Sequence, residues 1–139
     1  MKAQSRSILA VALTGIWVNA SEFLRNEILL KTYWVEHYQM LGMTFPSEAK
    51  NGMLWVVWGF LFAIAIYFIS RRFNVIQATL LCWFMAFVLM WIVTFNLNIL
   101  PGDILVYAIP LSLLETCIGC YICIKMSPNM DDQTLQSAR

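Results

Sequence analysis

Charge is scarce in this sequence, and histidine is scarcer still. Only 12% of the 139 residues are charged and 60% are hydrophobic, whereas soluble domains carry about 25% charged residues. The net charge of +1 provides no basic field for nucleic acid, so we expect no nucleic-acid partner. With a single histidine, His37, the chain alone cannot hold a haem between two histidines or build a histidine-rich metal centre.

Catalytic motifs are also missing. The sequence shows no nucleophile–base pair, no glycine-rich phosphate loop and no paired catalytic carboxylates. Cys117, Cys120 and Cys123 form a C-x-x-C-x-x-C run, but residues three apart drift around a helix, so their sulfur atoms do not converge on one ion. We therefore interpret the cysteines as small packing residues that bind no metal. These absences leave enzymatic activity open but do not favour it, and we expect no cofactor.

Four long apolar stretches dominate what is present. A helix needs about 20 residues to cross a bilayer, and the stretches predict transmembrane helices at 7–30, 52–70, 75–95 and 104–124. They would form one all-α domain over 1–125, a four-helix integral membrane bundle, followed by a polar cytoplasmic tail at 126–139. The start of the chain also resembles a signal peptide, with Lys2, Arg6 and then Val18-Asn19-Ala20 as a small-residue cleavage site. We favour a continuous first helix whose outer third is polar on one side.

The basic residues predict the orientation of the bundle. Loops facing the cytoplasm carry an excess of lysine and arginine. One side of the predicted bundle has six such residues, and the other has Lys31 and Lys50, with Arg25 near the boundary; the six are Lys2, Arg6, Arg71, Arg72, Lys125 and Arg139. We therefore expect both termini in the cytoplasm and a multi-pass protein of the inner (cytoplasmic) membrane.

The longest outer connector has a helical pattern of its own. Trp34, Tyr38 and Leu41 recur at helical spacing, and Phe45-Pro46 follows them. This pattern predicts a short interfacial helix lying on the outer surface of the membrane.

A single acidic residue interrupts the fourth apolar stretch. A charged carboxylate at the centre of a membrane helix costs roughly 2.5–3.5 kcal/mol, so Glu115 must be paired, hydrated or protonated. Ala108, Ser112, Glu115 and Gly119 share one face of the predicted helix. Because small residues let helices approach closely, this face is expected to meet another helix rather than lipid.

The first helix offers a matching polar face. Gly15, Asn19, Glu22 and Asn26 share it, and Glu22 lies three residues before Arg25, close enough to pair along the helix. We predict that the two faces meet between helices 1 and 4 and form a polar cluster that opens toward the outer side. Its members would be Asn19, Glu22, Arg25, Asn26, Ser112 and Glu115. The cluster could be a partly hydrated binding pocket or a buried structural network, and the sequence leaves both open.

Parts of the first and fourth helices resemble a known group of proteins. The residues Glu22-Phe23-Leu24, Asn26, Leu29-Leu30 and Tyr33, together with Pro110, Glu115, Gly119 and Tyr121, are similar to patterns in an uncharacterised family of small four-helix bacterial integral membrane proteins. In that pattern a histidine often occupies the position of Asn26. The resemblance implies the four-helix fold and no established activity.

Three functional classes remain open, and a membrane enzyme is the least favoured of them because the sequence lacks a catalytic constellation. In the first, the protein is a small-ligand or proton binding and transport module that uses the polar cluster, and homo-oligomer formation would supply a second half of the pathway. In the second, it is an accessory or structural subunit of a larger membrane complex with no chemistry of its own. Its partners would then be the lipid bilayer and other membrane subunits, contacted through its tryptophan, phenylalanine and methionine residues.

Overall fold

The computed structural model describes residues 3–127, and every regular element in that range is helical. Helix α1 and the π-helical segment after it form the first long helical stretch. Helix α2 follows, and α3 is the second long stretch. The third long stretch consists of helix α4, a second π-helical segment and α5. A short 3-10 turn then leads into α6, the fourth. The bounds are Ala3–Phe23 (α1), Leu24–Leu29 (π), Lys31–Met40 (α2), Ala49–Ser70 (α3), Val75–Trp83 (α4), Phe84–Val88 (π), Leu89–Asn96 (α5), Gly102–Ile104 (3-10) and Leu105–Met126 (α6).

Four of these helical stretches are long and apolar enough to cross a membrane, which identifies a multi-pass membrane protein. We call them the first to fourth spans, and they cover Gln4–Leu29, Ala49–Ser70, Val75–Asn96 and Gly102–Met126. The second span begins at Ala49 rather than at residue 52, because the segment from Ala49 to Asn51 already has helical geometry. Of the predicted tail at 126–139, Met126 ends α6 and Ser127 caps it, while 128–139 lie outside the described residues.

A tight turn joins the second and third spans into an antiparallel hairpin. The Asn74 side chain accepts a hydrogen bond from the backbone N–H of Gln77 (3.0 Å), and the Gln77 side chain accepts one from the backbone N–H of Asn74 (3.4 Å). This reciprocal capping box satisfies N–H groups at the start of α4 that have no partner within the helix.

Helix α1 packs against α3 and α6, and α6 also contacts α3 and α4. The contacts are close where one partner is glycine. A Cβ atom on Gly59 would lie 2.5 Å from the Asn19 amide nitrogen, and one on Gly119 would lie 3.3 Å from the methyl group of Thr14. Small residues therefore allow the first span to approach both the second and the fourth, as is usual between helices in lipid.

Helix α2 lies at one end of the bundle, which we call the α2 end; the opposite end, where α1 begins and α6 finishes, is the termini end. The expected short helix thus exists, and its two ends are held by different contacts. Leu30, just before it, packs with Leu100, Ile104 and Ala108. Farther along, the His37 ring nitrogen Nε2 lies 2.8 Å from the Asn98 carbonyl oxygen, to which it hydrogen-bonds. Asn98 has φ = 57°, a left-handed conformation that asparagine tolerates better than most residues. These contacts tie α2 to the connector between the third and fourth spans.

Candidate functional site

A buried arginine joins two acidic side chains between the first and fourth spans. Nη1 of Arg25 donates to Oε2 of Glu115 at 3.0 Å, and Nη2 donates to Oε1 of Glu22. Arg25 is 5% exposed, Glu22 6% and Glu115 not at all. Two carboxyl groups from different spans therefore share one guanidinium group, and we call these three residues the triad.

Two further residues of α1 bind Glu115. The hydroxyl of Ser21 donates to Glu115 Oε2 at 2.8 Å, and the Trp17 indole N–H donates to the Glu115 backbone carbonyl at 3.0 Å. Glu115 is thus held from the first span through both its side chain and its backbone. Hydrogen bonds of this kind fix how far α1 and α6 are rotated and shifted relative to each other.

The triad continues toward the α2 end through an amide and an indole. The Asn26 side-chain amide donates to Glu22 Oε2 at 2.7 Å and to the Glu22 backbone carbonyl at 3.3 Å. The Trp34 indole N–H donates to the Asn26 side-chain oxygen at 3.2 Å. Helix α2 is therefore linked to the triad by a continuous chain of hydrogen bonds.

Both π-helical segments meet at Arg25. In the first, the backbone N–H of Leu30 donates to the Arg25 carbonyl at 2.9 Å, five residues back, which is the hydrogen-bond pattern of a π-helix. The second presents Phe87, whose ring centroid lies 5.0 Å from the guanidinium carbon of Arg25, within the range of a cation–π contact. Wider helical turns of this type occur frequently at functional sites.

One oxygen atom of the triad has no partner. Oε2 of Glu115 accepts hydrogen bonds from Ser21 and Arg25, whereas Oε1 is buried and accepts none from the described residues. The Glu115 carboxyl group also interacts directly with that of Glu22. If both carboxyl groups are ionised, Arg25 balances only one of them, and the site carries one excess negative charge among buried side chains.

The structure brings together four of the six residues predicted for the polar cluster, namely Glu22, Arg25, Asn26 and Glu115. Asn19 lies elsewhere, because its side-chain amide donates to the carbonyls of Gly15 (2.8 Å) and Val56 (3.4 Å) and faces the second span. Successive residues of an α-helix turn by about 100°, so Asn19 and Ser21 point to nearly opposite sides of α1, and Ser21 is the one that binds Glu115.

Ser112 does not join the triad either. Its hydroxyl accepts a hydrogen bond from the Trp83 indole at 2.9 Å and donates to the Ile109 carbonyl at 3.1 Å. Ser112 therefore connects α6 to the third span and makes no hydrogen bond to the triad among the described residues.

Sequence reasoning missed the other members of the site. Ser21 had a usable signal, because it lies four residues before Arg25 and so shares its helix face. Trp17 lies on the same side of α1, one turn earlier. Trp34 and Phe87 come from separate elements, and no local spacing relates them to Arg25.

The cysteines are grouped differently from the C-x-x-C-x-x-C run. Cys120 and Cys123 are buried together with Cys82 of the third span, whereas Cys117 is exposed on the outside of α6. The interpretation of all of them as packing residues is therefore wrong for Cys117. Within residues 3–127, no group of three or more histidine, cysteine or acidic side chains has an arrangement that could hold a metal ion.

No protein-family model, curated protein or solved structure matches the chain.

Proposed function

We propose that the protein is a membrane-embedded proton-binding module, with Oε1 of Glu115 as the atom that takes up and releases the proton. The observation that carries the proposal is the unpartnered, fully buried Oε1 atom in a site where two carboxyl groups share one guanidinium group. Ionisable residues inside membrane proteins commonly mark proton or ion pathways.

Electrostatics explains why this site needs one more positive charge. Moving a charge out of water into a low-dielectric interior is costly unless the charge is paired and hydrogen-bonded. Arg25 offsets one carboxylate, and the remaining charge has no basic partner in the site. A single proton removes the excess charge without requiring the space that a metal ion and its ligands would need.

The hydrogen bonds determine which oxygen takes the proton. Oε2 of Glu115 already accepts from the Ser21 hydroxyl and from Arg25, so its lone pairs are engaged. Protonation at Oε1 leaves both of those bonds in place. The new O–H group can donate to the Glu22 carboxylate, the acidic group with which Glu115 interacts. Arg25 then balances the single remaining charge.

The proton reaches the site from the α2 end in this proposal. Asn26 and Trp34 are partly exposed there, while Glu22, Arg25 and Glu115 are buried beneath them. The lysine and arginine distribution favours an orientation with this end outside the cytoplasm. A protein that binds a proton on this route would be suited to proton-coupled transport.

Infrared titration of the protein in lipid tests the proposal. Protonated carboxyl groups have a C=O stretching band that ionised carboxylates lack, and the band shifts in D₂O. We expect the wild-type protein to show a protonated buried carboxyl group that is lost as the pH is raised. Glu115→Gln should remove this band while the protein remains folded, because the amide preserves the shape of the side chain.

Glu48→Gln is the matched control, because Glu48 is exposed and pairs only with Lys50 on the surface. It should leave the buried band unchanged. The proposal is wrong if the wild-type protein shows no protonated buried carboxyl group at any pH at which it stays folded, or if Glu115→Gln leaves the band in place.

A further inference from the structure

A second set of polar side chains lies inside the bundle near the termini end. It consists of three buried thiols, from Cys82, Cys120 and Cys123, and the hydroxyls of Ser70 and Thr79. All five are at least nine-tenths buried, and they come from the second, third and fourth spans. We call them the thiol–hydroxyl cluster.

Within residues 3–127, the two hydroxyls of the cluster have no hydrogen-bond partner other than a weak thiol. Ser70 Oγ and Thr79 Oγ1 are buried and interact with the Cys120 thiol, a weak hydrogen-bonding group, but neither hydroxyl makes a hydrogen bond of normal geometry with the described residues. Buried hydroxyl groups almost always have a partner in protein or water, and leaving one unpaired costs about 1–3 kcal/mol. Two such groups against the same thiol therefore indicate a ligand that can both donate and accept hydrogen bonds.

The cluster is close to the membrane surface at the termini end. Ser70 is the last residue of α3, Thr79 lies in the second turn of α4, and Cys123 lies in the last turn of α6. Nearby on α3, the Tyr67 hydroxyl donates to Ser7 Oγ at 2.7 Å and accepts from Arg71 at 2.9 Å. Polar groups therefore continue from the cluster toward that surface.

A tight helix contact separates the cluster from Glu115. A Cβ atom on Gly119 would lie 3.3 Å from a methyl carbon of Ile66 and 3.3 Å from one of Thr14, so these apolar groups close the interior at that level. Gly119 lies between Glu115 and Cys120 on the inward side of α6. The cluster is thus separated from the triad and lies on the termini side of this contact.

We infer that the thiol–hydroxyl cluster binds water admitted from the termini end of the bundle. Water fits the two unpaired hydroxyls because it donates and accepts hydrogen bonds and is small enough for a packed interior. The soft thiols alone would suggest a metal, but no group of three ligating side chains in the described range is arranged for one. The inference does not depend on proton binding at Glu115.

Water in the cluster would make a buried thiol reactive, and this provides the test. Thiols react as thiolates, which form where water is present. The silver ion Ag⁺ is small, soluble in water and poorly soluble in lipid, and it replaces the thiol proton to form an S–Ag bond. In lipid vesicles of known orientation, a variant that keeps only Cys120, with Cys82→Ala, Cys117→Ala and Cys123→Ala, is treated with Ag⁺ from either side. Thiols that remain free are then counted by alkylation after denaturation.

Tyr121→Cys in the background with all four native cysteines replaced by alanine is the matched control. Residue 121 follows Cys120 at nearly the same depth but is exposed on the outside of the bundle. We expect Cys120 to react from the termini end at least about tenfold faster than the cysteine at 121. Equal rates, or reaction of Cys120 only from the α2 end, would overturn the inference.

Removing the hydroxyls tests their part in holding the water. Ser70→Ala with Thr79→Val keeps the packing volume nearly unchanged and should slow the reaction of Cys120 severalfold, without changing the rate at residue 121. An unchanged Cys120 rate would also overturn the inference.

If the variant with alanine in place of the native cysteines does not fold, the relative reaction rates of Cys117 and Cys120 are measured in the native sequence by fragment mass spectrometry. Glu115→Gln should leave all these rates unchanged, so this test and the infrared titration can fail independently.

Discussion

Arg25 is the residue on which the buried charges depend. Its guanidinium group binds both acidic side chains, and its face packs on Phe87. Arginine suits this position because its planar, rigid set of N–H donors can bind two carboxylates at once, whereas lysine offers one compact charge on a flexible chain. A lysine at this position would also lose packing against Phe87, because the planar guanidinium group lies over the Phe87 ring.

Replacing Arg25 should strongly destabilise the protein. Arg25→Met leaves Glu22 and Glu115 without a counter-charge, and breaking a buried ion pair from one side costs about 3–5 kcal/mol. We expect a loss of that order in the free energy of unfolding, measured by denaturant titration in detergent micelles. Adding Glu22→Gln and Glu115→Gln to Arg25→Met should recover much of the loss, because the unpaired charges are then gone.

Lys31→Met is the control for Arg25→Met. Lys31, the first residue of α2, pairs with Glu27 of the first π-helical segment at 2.7 Å, but both side chains are substantially exposed, and surface pairs contribute about 0–1 kcal/mol. If Arg25→Met costs no more than Lys31→Met, the triad does not stabilise the bundle as the structure indicates.

At the scale of elements, the first π-helical segment sets where α2 lies. A π-helical turn is equivalent to one extra residue in an α-helix, so everything that follows it is rotated relative to a regular continuation of α1. That rotation brings Trp34 over Asn26 and His37 to the Asn98 carbonyl. The segment therefore couples the triad to the helix that covers it.

Deleting Ile28 should detach α2 while leaving the triad intact. Ile28 is exposed and follows both Arg25 and Asn26, so the spacing of Glu22, Arg25 and Asn26 is unchanged. Removing one residue turns the chain beyond it by about 100° and separates Trp34 from Asn26. We expect faster amide hydrogen exchange throughout α2, measured by mass spectrometry, and no change in the rest of the first span.

The substitution Ile28→Ala controls for the loss of the side chain, because it shortens the side chain and keeps the chain length. It should leave exchange in α2 close to that of the wild type. Slow exchange in α2 after the deletion would show that the extra residue is not what positions this helix.

At the scale of the whole molecule, the triad and the thiol–hydroxyl cluster lie at different depths of the bundle. The triad lies toward the α2 end and the thiol–hydroxyl cluster toward the termini end, with the Gly119 contact between them. Large apolar side chains cover the outside of the second and third spans, including Leu54, Leu61 and Phe68. Apolar side chains on the outside and buried polar groups turned inward are the arrangement expected of a bundle surrounded by lipid.

Basic residues are concentrated at the termini end, and this predicts the orientation in the membrane. Arg6, Arg71, Arg72 and Lys125 lie there, and we expect that end to face the cytoplasm. In a background without native cysteines, Glu48→Cys should react with an impermeant thiol reagent added to intact cells. Phe73→Cys should react only after the membrane is opened.

Both positions used in that experiment are exposed, and replacing Phe73 removes no basic residue from the loop that directs the orientation. The reverse labelling pattern would refute the orientation. Labelling of both cysteines from outside would refute a bundle in which four helices cross the membrane.

The local sequence pattern was enough to predict the four spans, but it predicted only part of the site. Glu115 could be recognised because it interrupts an apolar stretch and shares its face with small residues, and its pairing with the first helix follows from depth. Asn19 was misplaced because rotation about the helix axis depends on which neighbours pack best, here Gly59 of the second span. The participation of Phe87 could not be predicted, since it depends on packing between segments far apart in the chain.

The sequence by itself determined that this is a membrane protein with four helical spans, because the cost of burying charge in lipid is local and is readable residue by residue. It also determined that Glu115 would need a partner. Only the tertiary structure decided that Arg25 is shared by two carboxyl groups, that one oxygen of Glu115 is left without a partner, and that Cys82 rather than Cys117 joins the buried thiols. These features depend on helix rotation and on the π-helical turns, which are set by the balance of contacts among all four spans and not by any single segment.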